Sequence, residues 1–462
     1  MDLLSLSQSL VEKKISPIEL IEQCLSNIRD KNPQYNALIT VCEEDALAAA
    51  ALAEEEIMKG EVKGPFHGIP IAIKDVIFTK EVRTTMGSKL YEDFVPDYDA
   101  TVVQKLIDAG AIIIGKAHTH EFAFGPTGDR SFFGPCRNPY NPEKITGGSS
   151  SGSAAAVAAN MAYAALGTDT GGSVRIPASA CGVVGMKPTF GLVSKYGIYT
   201  TSYTLDHPGF MTKTVRDSAH LLNILAGYDD KDPYSIHQPN EDYTSFIGKS
   251  IAGKVIGLPS FYYKNIDKEV AGAIDKVIAF YQEQGAVIQE VELSGMEEIA
   301  ASQVITIQAE AAAVHEKNMR ERGEYYDFEL YERLKASQNV RAYEYVRAQQ
   351  RKPELIKRHN QIFEKVNILL TPTLPIIPTD INQREVITGE HSEPVRNALL
   401  RLTSPINYTG NPGLSVPCGF SEDGLPIGFQ LIGMHGEESI LYQFGHAFEQ
   451  QNKRLKKTID LE

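Results

Sequence analysis

Two serines lie on glycine-framed turns 24 residues apart: Ser149 in Gly147-Gly148-Ser149-Ser150-Ser151-Gly152-Ser153, and Ser173 in Asp169-Thr170-Gly171-Gly172-Ser173. Turns of this kind bring backbone N–H groups and a hydroxyl to one point, which acyl transfer requires. A helix-favouring alanine run, Ala154 to Ala159, and a short apolar run, Ala162 to Leu166, separate them, so a flexible Gly/Ser linker is excluded. A serine hydroxyl is a weak nucleophile and needs a base. No G-x-S-x-G elbow occurs, and His67, His118, His120 and His207 sit in dissimilar contexts. Lys74 closes the apolar run Gly68-Ile69-Pro70-Ile71-Ala72-Ile73-Lys74-Asp75. An ammonium at the end of a buried strand loses solvation, its pKa falls, and the neutral amine can act as a base. The competing fates of such a lysine are pairing with Asp75 or reaching water.

These residues must be positioned by elements the sequence also announces. Ser16-Pro17-Ile18-Glu19 has the form of a capping box with proline at the first helical position, followed by Leu20, Ile21, Cys24, Leu25 and Ile28 at helical spacing. Buried strands are predicted at Ile69 to Ile73, Ala111 to Ile114, Val255 to Leu258, Ile368 to Leu370, Leu414 to Val416 and Ile427 to Ile432. Asp99 to Ile114 reads as an N-cap acid, a helix, a terminating Gly110 and a strand. Between about 300 and 365 the strand signal gives way to charged, tyrosine-rich helical sequence, and a last helix places Ile440, Phe444 and Phe448 on one face. The alternation indicates an α/β fold. With no repeat or long linker, a single domain over 1–462 is expected, its helix-rich segment at about 300–365 being the least typical part.

The stretch from Gly147 to Pro188 resembles the core of the amidase signature family: the Gly-Gly-Ser-Ser-Ser-Gly-Ser loop, then Gly167 through Ser173-Val174-Arg175-Ile176-Pro177-Ala178, then Gly185-Met186-Lys187-Pro188. The likeness extends to Gly68 through Asp75, to Gly115-Lys116 and Glu121-Phe122-Ala123, and to Asn411-Pro412-Gly413 with Ser415-Val416-Pro417. It implies a large mixed central β-sheet covered by helices on both faces. It also implies a Ser-cisSer-Lys triad of nucleophile Ser173, bridging Ser149 on a cis peptide after Gly148, and base Lys74. The oxyanion hole it implies uses the backbone N–H groups of Thr170, Gly171, Gly172 and Ser173. Arg175 has two readings, binding a substrate carboxylate or stiffening the turn through Asp169, and the structural one is preferred.

Composition narrows the partners. The net charge of −14 argues against direct nucleic-acid binding. Five cysteines, Cys24, Cys42, Cys136, Cys181 and Cys418, are widely separated and read as thiols in a reducing compartment. With no signal-peptide pattern and no long apolar span, a cytoplasmic protein without a membrane partner is expected. His118-Thr119-His120-Glu121 does not match an H-E-x-x-H helix, and the Gly147 loop lacks G-x-x-x-x-G-K-[ST], so neither metal nor cofactor is expected. The substrate is expected to be a small amide, its pocket residues are not identified, and a homodimer is compatible with the sequence.

Within the family, two activities compete. One is a free-standing amidase, which releases an acid and ammonia or an amine. The other is the glutaminase (A) subunit of a tRNA-dependent amidotransferase, which works with partner subunits. The A-subunit patterns R-[FY]-D-G and N-D-x-L-T-x-P are replaced here by Val314-His315-Glu316-Lys317 and by Leu399-Leu400-Arg401-Leu402-Thr403-Ser404-Pro405. The acid for a glutamine ammonium is thereby missing, and the free-standing enzyme is expected. A non-catalytic binding protein with the same fold is the remote third reading.

Overall fold

The computed structural model describes residues 3–239, 241–389 and 391–451. Eleven strands form one mixed sheet: β1 (Leu38–Val41), β2 (Pro70–Lys74), β3 (Ile112–Ala117), β4 (Ala164–Asp169), β5 (Val184–Lys187), β6 (His207–Thr212), β7 (Val255–Pro259), β8 (Val287–Val291), β9 (Ile368–Pro372), β10 (Gly413–Phe420) and β11 (Pro426–Ile432). Their order is β1-β3-β2-β4-β6-β5-β10-β11-β9-β7-β8. β2 runs parallel to both β3 and β4, whereas β4 to β6, β6 to β5, β5 to β10 and β10 to β11 are antiparallel.

Both faces of the sheet are buried where β2 and β4 pair. Side chains alternate across a strand, and Ile71 and Ile73 join one apolar core while Ala72 joins another. Ala164 and Leu166 divide from Ala165 in the same way. A lysine at the end of such a strand has no water on either side.

Ten helices bear on the site and its frame: α1 (Pro17–Tyr35), α2 (Thr101–Asp108), α3 (Ser151–Ala158), α4 (Arg175–Ala180), α5 (Met296–Arg322), α6 (Phe328–Ser337), α7 (Ala342–Asn360), α8 (Val395–Arg401), α9 (Pro405–Thr409) and α10 (Glu438–Gln451). The capping box forms as predicted, Glu19 N–H donating to Ser16 Oγ at 3.1 Å and Ser16 N–H to Glu19 Oε2 at 2.8 Å. Asp99 does not cap α2. The N-cap is Ala100, and the Asp99 carboxylate instead accepts the Lys80 N–H at 2.7 Å, while Gly110 adopts φ +82° after the helix as expected. The tyrosine-rich stretch forms α5, α6 and α7, with Tyr345 Oη donating to Glu310 Oε1 at 2.8 Å and Tyr408 Oη to the Ala348 carbonyl at 2.6 Å. Among the described residues no helix is long and apolar enough to cross a membrane.

Phe210 on β6 is fully buried near the middle of the sheet. Phe210→Ala should therefore cost about 3–5 kcal/mol of stability, cavity included, read as a lowered guanidinium midpoint. A loss under about 1 kcal/mol would mean that this core relaxes freely.

Candidate active site

β2 delivers Lys74 to a point fully enclosed by protein. Its Nζ lies 2.8 Å from Ser149 Oγ and 2.7 Å from Thr168 Oγ1. Burial lowers its pKa to about 7, against a partial pull upward from Asp169 and Asp206. Asp75 is not its partner. That carboxylate turns to Thr85, accepting its N–H at 3.0 Å and its hydroxyl, and burial raises its own pKa to about 6.

Ser149 follows a cis peptide at Gly148-Ser149, and α3 begins two residues later. The Ser149 carbonyl accepts the His120 N–H at 3.1 Å, and Ser150 N–H donates to the Ser173 carbonyl at 3.1 Å. That last bond ties the two serine turns together. Ser150 Oγ also donates to the Thr168 carbonyl at 3.1 Å, fixing the first turn to the end of β4. The structure thus brings Lys74, Ser149 and the Ser173 turn together.

The second turn is organised around Asp169. Burial would raise the pKa of this carboxyl, but the Arg175 guanidinium holds it well below the usual carboxylate range. Arg175 is fully buried, and its donors are spent inside the protein: Nε on Asp169 Oδ2 (3.0 Å), Nη1 on the Thr403 carbonyl (3.0 Å) and Gln430 Oε1 (2.6 Å), Nη2 on Asp169 Oδ1 (2.9 Å) and Asn407 Oδ1 (2.7 Å). The stiffening reading of Arg175 fits this arrangement. Asp169 Oδ1 also accepts the Gly172 N–H at 2.7 Å. One of the four donors expected for an oxyanion hole is therefore engaged, because the buried carboxylate needs that hydrogen bond itself. Gly172 has φ +128°, and a β-carbon there would collide with Thr403 Oγ1, so the position admits only glycine.

Several neighbours escaped the sequence reading. Thr168 shares the lysine with Ser149, and Asp206 accepts the Thr170 hydroxyl at 2.6 Å. Leu400 of α8, Ser404 and Gln303 crowd the open side of Gly171, Leu400 Cδ2 lying 3.2 Å from where a β-carbon would stand. Thr168, Asp206 and Gln303 carry no local signature, whereas Leu400 and Ser404 lie in the Leu399–Pro405 stretch already singled out in the sequence. His118 is engaged by Ser151 Oγ and the Gly134 carbonyl, each at 2.8 Å.

A buried amine thus lies against a serine hydroxyl, beside a second serine on a glycine turn, and the chain belongs to the amidase family, whose model matches residues 19–441. It is accordingly a hydrolase acting on carbon–nitrogen bonds of amides. The A subunit of glutamyl-tRNA(Gln) amidotransferase from Geobacter sp. (strain M21) is 40% identical over 481 residues, covering 98% of this chain and 97% of that protein. A solved amidase superimposes with a TM-score of 0.89 at 33% identity, covering 98% and 100% of the two chains. The corresponding A subunit from Thermotoga maritima, also of a glutamyl-tRNA(Gln) amidotransferase, does so with a TM-score of 0.80 at 35% identity, covering 94% and 91%.

The lysine gives a direct test. Lys74→Ala should reduce amide hydrolysis by several powers of ten, and Lys74→Arg should not restore it, because guanidinium stays charged. Substantial turnover by the arginine variant would rule out a neutral base at this position.

Proposed function

We propose that this chain hydrolyses a carboxamide through an acyl-enzyme on Ser173, with Ser149 bridging to neutral Lys74. The observation that carries the reading is the 2.8 Å contact between Ser149 Oγ and an enclosed lysine amine whose pKa lies at about 7. A neutral amine can donate to Thr168 Oγ1 while its lone pair accepts the Ser149 proton. Ser149 takes the proton of Ser173, whose oxygen attacks the carbonyl carbon. The proton returns through Ser149 to the leaving nitrogen as the C–N bond breaks, and ammonia or an amine departs. Water then attacks the ester by the same path and frees the acid. Thr170, Gly171 and Ser173 are the backbone donors left to the developing oxyanion, the Gly172 N–H being held by Asp169.

The Geobacter relative's name supports a more particular reading, the ammonia-releasing A subunit of an amidotransferase working with partner subunits, better than it supports a free-standing amidase. One observation favours the free-standing enzyme. Leu400, in the stretch where the sequence pattern calls for an acid, faces Gly171 and offers an ammonium no countercharge. In either case we take the chain as one catalytic domain, since a single sheet collects strands from Leu38 to Ile432.

Ser173→Ala should abolish hydrolysis of every amide while leaving thermal unfolding within a few degrees of the parent, and a serine-directed phosphonate should label Ser173 only. An adduct on another serine would displace the assignment. Glutamine hydrolysis that appears only with co-purifying subunits and aminoacylated tRNA would select the A-subunit reading. Turnover of simple carboxamides by the isolated chain, with glutamine a poor substrate, would select the free-standing one.

A further inference from the structure

Gly171 and Gly172 stand side by side in the turn that carries Ser173, and they are glycines for different reasons. Gly172 has a positive φ, whereas Gly171 lies outside the left-handed region, so backbone handedness does not demand glycine there. A β-carbon at Gly171 would meet only side chains: Leu400 Cδ2 at 3.2 Å, Ser404 Cβ at 3.6 Å and Gln303 Nε2 at 3.7 Å. The missing side chain leaves a space that opens on the Gly171 α-carbon and is bounded by α5, α8 and the residue before α9.

Two of the three bounding groups are polar, and both are without a partner. Gln303 is 5% exposed and Ser404 9%, and among the described residues neither side chain makes a hydrogen bond. Ser404 holds the N-cap position of α9, where a serine hydroxyl ordinarily accepts a backbone N–H. Here its φ of −66° and ψ of −30° are helical, and the hydroxyl caps nothing. The polar groups around them are engaged. Thr306, one turn along α5, donates to the Ser302 carbonyl at 2.8 Å and accepts from Gln349 Nε2 at 3.0 Å, and Glu310 accepts from Ser202, Thr204 and Tyr345. Arg401, beside Leu400, turns away to the Lys264 and Asn265 carbonyls at 2.8 and 2.9 Å. A carboxamide and a hydroxyl withdrawn from water without partners are destabilising until an incoming group completes them. Leu400, Ser404 and Gln303 carry no charge, so the group that completes them is uncharged as well.

We propose that Gln303 and Ser404 determine specificity for the acyl part of the substrate, by taking an uncharged hydrogen-bonding group, a hydroxyl or a second carboxamide, carried a short way along the chain from the scissile carbonyl. The inference rests on the amidase reading of Ser173. With the carbonyl oxygen on the Thr170 and Gly171 N–H groups, the acyl carbons cross the Gly171 α-carbon, where a side chain would block them. The Gln303 carboxamide and the Ser404 hydroxyl can each donate and accept, so a substrate hydroxyl finds a donor and an acceptor together. Leu400 closes the remaining side with an apolar contact. A substrate lacking the polar group would leave both residues buried and unpaired, which is the strongest form of discrimination such a site offers. The substrate class is an amide of a short hydroxy acid, or a diamide.

The test compares kcat/KM within pairs of equal size, 3-hydroxypropanamide against butanamide and malonamide against 3-methylbutanamide. The polar member of each pair should be favoured about tenfold or more. Gln303→Leu and Ser404→Ala should each lower that ratio at least threefold, through KM of the polar amide, while Gln303→Asn and Ser404→Thr should keep part of it. In the unaltered protein, the ketone 4-hydroxy-2-butanone should slow phosphonate labelling of Ser173 at concentrations where 2-pentanone does not, a reading that needs no variant to fold. Equal kcat/KM within each pair, a ratio unchanged in Gln303→Leu and Ser404→Ala, or equal protection by the two ketones would overturn the proposal. Activity that survives in Ser173→Ala would instead overturn the nucleophile assignment.

Discussion

A lysine amine enclosed by protein, with a hydroxyl on either side, is the constraint from which the rest of the site follows. Burial favours the neutral form, and only a close carboxylate could restore the charge. The nearest candidate along the chain, Asp75, is turned away to Thr85. Asp169 is present, yet its charge is taken up by Arg175, so it raises the lysine pKa only in part. The folded chain therefore binds fewer protons than the unfolded one between about 7 and the ordinary lysine value of 10.5. The destabilisation from burying Lys74 is full below about pH 7 and vanishes above 10.5, so this group makes the fold more stable as pH rises through that window.

The arginine that quiets Asp169 also welds the site together. Arg175 on α4 reaches Thr403, Asn407 and Gln430, joining the Ser173 turn to α9 and β11 across more than two hundred residues of chain. Asp169 also accepts the Gly172 N–H, the Val174 N–H at 3.2 Å and an Asn407 Nδ2–H at 2.8 Å. The turn is held from inside by a carboxylate. Thr403 adds a hydroxyl bond to the Gly171 carbonyl at 2.7 Å, which fixes the peptide between the two glycines.

Periodicity and turn chemistry made much of this legible. The strand predicted at Ile69 to Ile73 forms as Pro70–Lys74, and the alanine run Ala154 to Ala159 lies in a helix that starts three residues earlier, at Ser151, because burial on both faces and the alanines leave little choice. β1, β5, β6 and β8 were not read. β8 is an edge strand with several exposed positions, and the glycine and proline in His207 to Thr212 mask β6. Asp99 looked like a cap since its type and place suit one, but the Lys80 N–H competed for its oxygen. Within the site, Lys74, Ser149 and Ser173 could be named from their turns and strand end. Thr168 and Asp206 could not, because their relevance arises only from contacts across the fold.

The central claim is that Lys74 must be neutral for Ser173 to be reactive. It is tested most directly by the rate of phosphonate labelling of Ser173 between pH 5 and 9, followed by intact mass with the adduct mapped by peptide sequencing. The rate should rise with pH, reach half its plateau near pH 7, and fall about tenfold per unit well below that point, as a single titrating base requires. A rate that stays flat down to pH 5, or that keeps rising through pH 9 as an ordinary lysine would dictate, would contradict it.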